Sequence, residues 1–216
     1  MSKECKVGIL GGTFNPIHIG HLILAEQAYE EFDLEHVIFL PSGVSYLKKN
    51  TGVLPAETRY EMVSLAVSDN DHFSVSKREI MRKGNTYTSD TITELNRDYP
   101  GTHFFFILGA DTLFQMENWF EPAQIFGGCT ILASVRNGRS TDELKAKIQE
   151  YEKAYNADIR LLKTTDIDIS SKMIRSFAER NHSIRYYVPD SVNEYILEKG
   201  LYRGEAPEYK VTESEN

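Results

Sequence analysis

The sequence predicts an α/β fold, a parallel sheet with helices on both faces and a small helical part at the C-terminus. Three observations carry that expectation. Short apolar runs, among them "CKVGIL", "HVIFLP", "HFFFILGAD" and "CTILASV", alternate with longer segments of helical apolar recurrence. The first run ends in glycines that lead straight into a helical pattern, "GGTFNPIHIGHL" from Gly11 to Leu22. With 216 residues, 41% of them apolar, the chain can bury one substantial core. Alternation of strands with helices selects a parallel sheet, because parallel neighbours need a long crossover and a helix supplies it.

Taken in order, "CKVGIL" reads as a buried strand and "HLILAEQAYEEF" as the helix after it. "HVIFLP" is a second strand, stopped by Pro41. Ser42 to Pro55 is polar and broken by Gly and Pro, a loop long enough to suggest function. A helix from about Ala56 to Val67 follows, and then "FSVSKREI", which alternates like a strand. "TSDTITELNRDY" reads as a helix capped by Ser or Thr and ended before Pro100. "HFFFILGAD" is the most apolar run, a central strand leading into Gly109, and "CTILASV" is another. "TDELKAKIQEYEKAY" is an amphipathic helix with Thr141 or Asp142 as its cap, and "DIRLL" closes the strands. Helices at about Ser171 to Glu179 and Ser191 to Glu198 complete the pattern. The expectation is one domain over residues 1–203, its helical part at about 169–203, with a polar disordered tail at 204–216.

Composition excludes several classes. A net charge of -8 argues against a surface that coats nucleic acid, since backbone binding needs a basic face. No apolar run approaches the roughly 18 residues of a membrane span, so no membrane partner is expected. The start "MSKECKVGIL" lacks the pattern of a secretion signal, which predicts a cytoplasmic protein. Cys5 and Cys129 each sit in a short apolar segment and read as buried thiols rather than as a disulfide or a nucleophile. The sequence leaves open both a monomer and a homo-oligomer.

In open parallel sheets ligands bind at the carboxyl ends of the strands. That rule puts Gly11 to His21, the Ser42 to Pro55 loop and "GADTL" along one edge. Glycines after a first strand let backbone approach a ligand, and the following helix offers N–H groups to an anion. The spacing Gly8, Gly11, Gly12, Gly20 is not the dinucleotide fingerprint G-x-G-x-x-G, and no G-x-x-x-x-G-K-[ST] loop occurs. His18 and His21 share a helix face. "HIGH" is not the zinc-protease H-E-x-x-H, and no third metal ligand stands at recognisable spacing, so no protein-held metal is expected. Metal binding and core packing are the lesser readings, and donors to a transferring phosphoryl group the favoured one.

These residues resemble a known family. "GGTFNPIHIGHL" is similar to the T/H-x-G-H signature of the nucleotidyltransferase superfamily, and "ISSKMIR", Ile169 to Arg175, to its I-S-S-x-x-I-R motif. Between them "GNTYTSDT", "FILGADTL" and the single Trp119 follow in the order found in bacterial nicotinate-nucleotide adenylyltransferases, and "VPDSVNEYILEKGLY" resembles their ending. The resemblance covers about Lys6 to Tyr202 and implies a Rossmann-like sheet.

It also implies transfer of the adenylyl group of ATP to the 5′-phosphate of nicotinate mononucleotide, with Mg²⁺, giving deamido-NAD and pyrophosphate in NAD biosynthesis. Carried over residue by residue, His18, His21, Lys48 and Arg175 are the implied catalytic groups. ATP would meet Gly11, Gly12, Thr13, Phe14, His18, Gly20, His21, Gly109, Asp111, Ile169, Ser170, Ser171 and Arg175. The acceptor would meet Thr13, Lys48, Tyr87, Thr88 and Trp119, with Trp119 stacked on the ring and Thr88 near its carboxylate. Ser170-Ser171 can equally be a helix cap, Asp111 likewise, and Lys48 a surface lysine. The chain departs from the family where "SYLK", Ser45 to Lys48, replaces a Pro-Pro-His-Lys segment and where Lys172 replaces Thr. The alternatives are a related nucleotidyltransferase with another phosphate acceptor and a nucleotide binder without turnover.

Overall fold

Six strands hydrogen-bond side by side in one fully parallel sheet in the computed structural model, which describes residues 5–45, 52–135, 141–165 and 167–203. The first half runs β1 (Cys5–Gly12), α1 (Ile19–Glu31), β2 (His36–Pro41), β3 (Val44–Ser45), α2 (Ala56–Val67), β4 (Phe73–Val75), α3 (Arg78–Met81), β5 (Asn85–Thr86) and α4 (Thr88–Asp98). The second runs β6 (Thr102–Gly109), α5 (Ala110–Leu113), a 3₁₀ turn (Met116–Asn118), α6 (Pro122–Gly128), β7 (Thr130–Val135), α7 (Thr141–Tyr155), β8 (Ile159–Lys163), α8 (Ser171–Glu179) and α9 (Asp190–Glu198).

The sheet order is β4-β2-β1-β6-β7-β8. The chain steps outward from β1 to β4, returns, and steps the other way from β6 to β8. Winding therefore reverses between β1 and β6, and the crevice beyond their carboxyl ends is where such sheets bind ligands. Ile9 pairs with Ile38 on one side and Phe106 on the other, which sets the two central strands in register.

Side chains alternate across the sheet with a period of two. Phe104, Phe106 and Leu108 of β6 pack with Ile92 and Leu95 of α4, Ile125 and Phe126 of α6, and Leu144 and Tyr151 of α7. Phe105 and Ile107 face the other way, into a core with Ala25 and Ala28 of α1, Met62 and Val63 of α2, Ile174 of α8 and Ile196 of α9. Both faces are covered, which explains why "HFFFIL" is continuously apolar. Cys5 and Cys129 are free, and burial pushes the Cys129 thiol up to about 12, keeping it a thiol at neutral pH.

Several local expectations are corrected. "FSVSKREI" is not one strand: pairing ends at Val75 and α3 begins at Arg78. β4 is an edge strand with β2 alone beside it, and the Ser76 hydroxyl accepts from Arg78 N–H at 3.2 Å, turning the chain away. The helix in "TSDTITELNRDY" has Tyr87, not Ser or Thr, at its N-cap, with Thr88 as its first residue. Thr141 and Asp142 lie in the first turn of α7 rather than before it. α6, with Pro122 at its first turn, and the short β3-β5 pair are additional, and that pair ties the start of the Ser42 loop to the segment before Thr88. The tail at 204–216 lies outside the described residues.

Candidate active site

The crevice at the switch point holds two adjoining chambers. One, of about 290 Å³, is lined by Gly11 and Gly12, the last residues of β1, and Thr13 after them, by Ser42 after β2, by Thr86 and Thr88, and by Trp119 and Phe120. The other, of about 430 Å³, is lined by Gly11, His21 and Leu24, by Gly109 at the end of β6 and Ala110 to Thr112 after it, and by Ser134 and Val135 of β7. Gly11, Phe106, Thr112 and Trp119 belong to both, so two ligands seated there would meet.

The turn "GGTFNPIH" builds the shared wall. Phe14 takes a positive φ of 47° and is buried, with its ring edge-on to His21 at 5.0 Å. A Cβ on Gly12 would stand 3.1 Å from that ring, so Gly12 makes room for Phe14. His18 is the N-cap of α1 and His21 its third residue. Their rings stack at 3.6 Å, and His18 N–H donates to His21 Nδ1 at 3.2 Å. With Nδ1 accepting, neutral His21 carries its proton on Nε2, which makes Nε2 a donor. A Cβ on Gly20 would lie 3.2 Å from His18 Nδ1, so Gly20 clears space for His18. Ile19 N–H is bonded to Tyr187 O at 2.9 Å and His21 N–H to His18 O at 2.9 Å. The helix start therefore offers an anion fewer backbone donors than its sequence implied, and the imidazoles matter more.

The second motif grips the first from behind. Ser171 Oγ donates to Pro16 O at 2.7 Å, and Arg175 Nη1 to Asn15 O at 2.7 Å. Ser170 is the N-cap of α8 and accepts from Met173 N–H at 3.2 Å. Asn15, 4% exposed, accepts at Oδ1 from Tyr202 Oη at 2.8 Å and from Leu54 N–H at 3.2 Å, and donates to Gly52 O at 3.0 Å. Burial pushes the Tyr202 phenol up and keeps it a donor. Arg59 of α2, 2% exposed, donates from Nε to Leu54 O at 3.0 Å, from Nη1 to Thr13 O at 2.7 Å and from Nη2 to Ser42 O at 2.7 Å. One guanidinium thus fixes the turns after β1 and β2 and the segment before α2.

In the smaller chamber Trp119 stands edge-on to Phe106, with centroids 6.3 Å apart and planes at 81°. The segment before it is held by Tyr151, whose hydroxyl donates to Leu113 O at 3.0 Å and accepts from Glu117 N–H at 3.3 Å. Lys147 adds an ion pair to Glu117 at 2.6 Å. Glu79 also lines this chamber. Burial pushes its carboxyl above the ordinary range, against hydrogen bonds from Thr91 and Thr86 and the charge of Arg82.

The structure gathers many of the residues singled out by sequence. Gly11, His21, Gly109 and Asp111 line the larger chamber, and Gly12, Thr13, Thr88 and Trp119 the smaller. Tyr87 reaches the smaller one indirectly, its ring 4.4 Å from that of Phe120. Phe14 and His18 are buried behind His21. Ile169, Ser170, Ser171 and Arg175 line neither chamber, and Ser171 and Arg175 each hold a carbonyl of the first turn. Lys48 lies outside the described residues. Among the described residues no group of three or more His, Cys, Asp or Glu gathers as a metal cage. Arg59, Tyr151 and Glu79 were missed. An arginine or tyrosine on an amphipathic helix normally reads as surface or core, and no local pattern marks either as a hub.

Comparison with known proteins agrees with this geometry. The cytidylyltransferase-like family model matches residues 9–177. A relative from Lachnoclostridium phytofermentans named "Probable nicotinate-nucleotide adenylyltransferase" is 46% identical over 91% of this chain and 98% of its own. One of the same name from Geobacter sulfurreducens is 40% identical, with the same coverage. A solved Plasmodium falciparum nicotinic acid mononucleotide adenylyltransferase complexed with NaAD superposes with a TM-score of 0.74 over 92% of this chain and 97% of that one. At 16% identity, that match speaks for the Rossmann-like fold alone.

Proposed function

The chain belongs to the nicotinate-nucleotide adenylyltransferase family of cytidylyltransferase-like proteins, and we propose that it joins ATP to nicotinate mononucleotide, forming nicotinate adenine dinucleotide and pyrophosphate in NAD biosynthesis. The observation that carries this is the pair of chambers meeting at Gly11, Phe106, Thr112 and Trp119 beside His21. Two nucleotides seated there would touch where the first turn ends.

A phosphate monoester has a second pKa near 6, so the attacking 5′-phosphate oxygen is already an anion at neutral pH and no general base is required. A bond forms from that oxygen to the α-phosphorus while the bond to the bridging oxygen breaks, and pyrophosphate leaves with the electron pair. The protein's task is then to hold two anions in line and neutralise developing charge. His21 Nε2–H is the donor to the α-phosphate. His18 orients it through the ring stack and the bond to Nδ1 and shares its charge-stabilising role. Arg175, anchored by Nη1, has further donors for the β- and γ-phosphates. Ser170, Ser171 and Lys48 complete the phosphate contacts, and Asp111 serves the nucleotide hydroxyls. Trp119 supports the pyridine ring, with Thr88 and Tyr87 near its carboxylate.

Mg²⁺ would suit this arrangement as a companion of ATP, because it keeps several waters and can be held chiefly by substrate phosphates. Bound with ATP, it would supply charge neutralisation on the triphosphate. The same reading puts the enzyme in the cytoplasm, and no helix among the described residues is long and apolar enough to cross a membrane.

The test is pyrophosphate release from ATP with nicotinate mononucleotide, nicotinamide mononucleotide or phosphopantetheine offered in parallel. Release with nicotinate mononucleotide is expected. Release with neither pyridine nucleotide overturns the assignment, and ATP binding without pyrophosphate points to the non-catalytic alternative.

A further inference from the structure

One carboxylate in the smaller chamber has no part in the chemistry above. Glu79, on α3, lines that chamber with Thr86, Thr88, Trp119 and Phe120. Its Oε1 accepts from Thr91 Oγ1 at 3.0 Å, and Thr86 bonds to the same carboxyl. Both threonines are buried and line the chamber themselves. The charged groups facing Glu79 are Arg82, just beyond α3, and Glu94 of α4. Arg82 gives Nη2 to Glu94 at 2.8 Å and Nη1 to Thr91 at 3.1 Å, and Arg78 bonds Glu94 and Asp98. Both guanidinium groups are thus engaged with the acids of α4.

A cavity of about 290 Å³ whose wall includes Glu79, its carboxyl bonded to two other lining residues, is a poor host for a second ionised carboxylate. When two such groups share a small site, one of them retains a proton. We propose that Glu79 determines acceptor specificity by sharing one proton with the carboxylate of an acidic pyridine nucleotide, so that acceptor and proton bind together. The proposal rests on the nicotinate mononucleotide reading above. Protonated Glu79 is a hydrogen-bond donor and welcomes a carboxylate, whereas ionised Glu79 is an acceptor only and repels it. A ring bearing a neutral carboxamide takes up no proton on entering. Affinity for the acidic ring is therefore lost as pH rises through the titration of Glu79.

The experiment measures kcat/KM for nicotinate mononucleotide at saturating ATP, from about pH 6 to about pH 9, in the wild type and in Glu79→Gln. The 5′-phosphate titrates alike in both and cancels in their ratio. Above the Glu79 titration the wild type should fall behind the variant by up to about tenfold per pH unit, the limit for one proton, and the change should sit in KM. Parallel profiles overturn the proposal. Should the variant not fold, the wild type decides alone: calorimetry at about pH 8 in two buffers of different ionisation heat should show net proton uptake on binding nicotinate mononucleotide, whose phosphate is by then dianionic. No uptake overturns the proposal as well. Turnover with no proton linkage removes only the role of Glu79, whereas no pyrophosphate at any pH removes the adenylyltransferase reading itself.

Discussion

Replacing Arg59 by Lys tests how the site is held together. Three carbonyls of half-buried residues, Thr13 O, Ser42 O and Leu54 O, receive hydrogen bonds of 2.7 to 3.0 Å from one planar guanidinium. A lysine ammonium keeps the charge but sits at a single point on a flexible stem, and it can reach about one of the three. The other two would be partly buried acceptors without a protein donor, at roughly 1–3 kcal/mol each. The expected loss is about 2–6 kcal/mol, a large share of the 5–15 kcal/mol typical of a folded domain. In a chain of this size each kcal/mol moves Tm by about 2–4 °C, so a fall on the order of 10 °C should be seen. Urea unfolding read by circular dichroism measures it directly. Because Thr13 and Ser42 line the smaller chamber, proposed above to meet the acceptor's ring at Trp119, kcat/KM for the acceptor should fall in the protein that remains folded. A loss below about 1 kcal/mol with normal kinetics would refute the reasoning, since it would mean the fork geometry is immaterial.

Other outcomes follow from the same contacts. His21→Ala removes the Nε2 donor and should lower turnover on the order of 10²-fold or more, by steady-state pyrophosphate release; near-full activity would contradict its role. Trp119→Ala should mainly raise the KM for the pyridine nucleotide, and an unchanged KM would remove it from the site. Tyr151→Phe deletes the hydroxyl that joins Leu113 O to Glu117 N–H. It should cost about 1–3 kcal/mol in urea unfolding and raise the acceptor KM while sparing the KM for ATP, and equal effects on both substrates would argue for a structural role alone.

Much of the fold is legible in local sequence. The extents of α2, α7 and α8 follow from where apolar periodicity starts and stops, because an amphipathic helix must write its buried face into its own residues. Expectation failed where a neighbour decides instead. "FSVSKREI" has the alternation of a strand, yet only Phe73–Val75 pairs, because the sheet ends at that edge. The cap of α4 failed for a related reason: β5 pairs with β3 and delivers the chain to Tyr87, so Thr88 enters the helix instead of preceding it.

The site divides in the same way. "HIGH" and "ISSKMIR" announced a phosphate chemistry, because donors to a developing charge must be of a few residue types at helix starts. By itself the sequence determined the parallel α/β plan and the family, and it named the segments proposed above to carry the reacting groups. Only the tertiary structure decided that Ser171 and Arg175 clamp Pro16 and Asn15 across some 155 to 160 residues, that Arg59 ties three turns together, and that Glu79 shares a chamber with Trp119. Periodicity and capping act within a few residues and leave a local record. A convergence of distant side chains is set by how whole layers pack, and it leaves no pattern in any one stretch of chain.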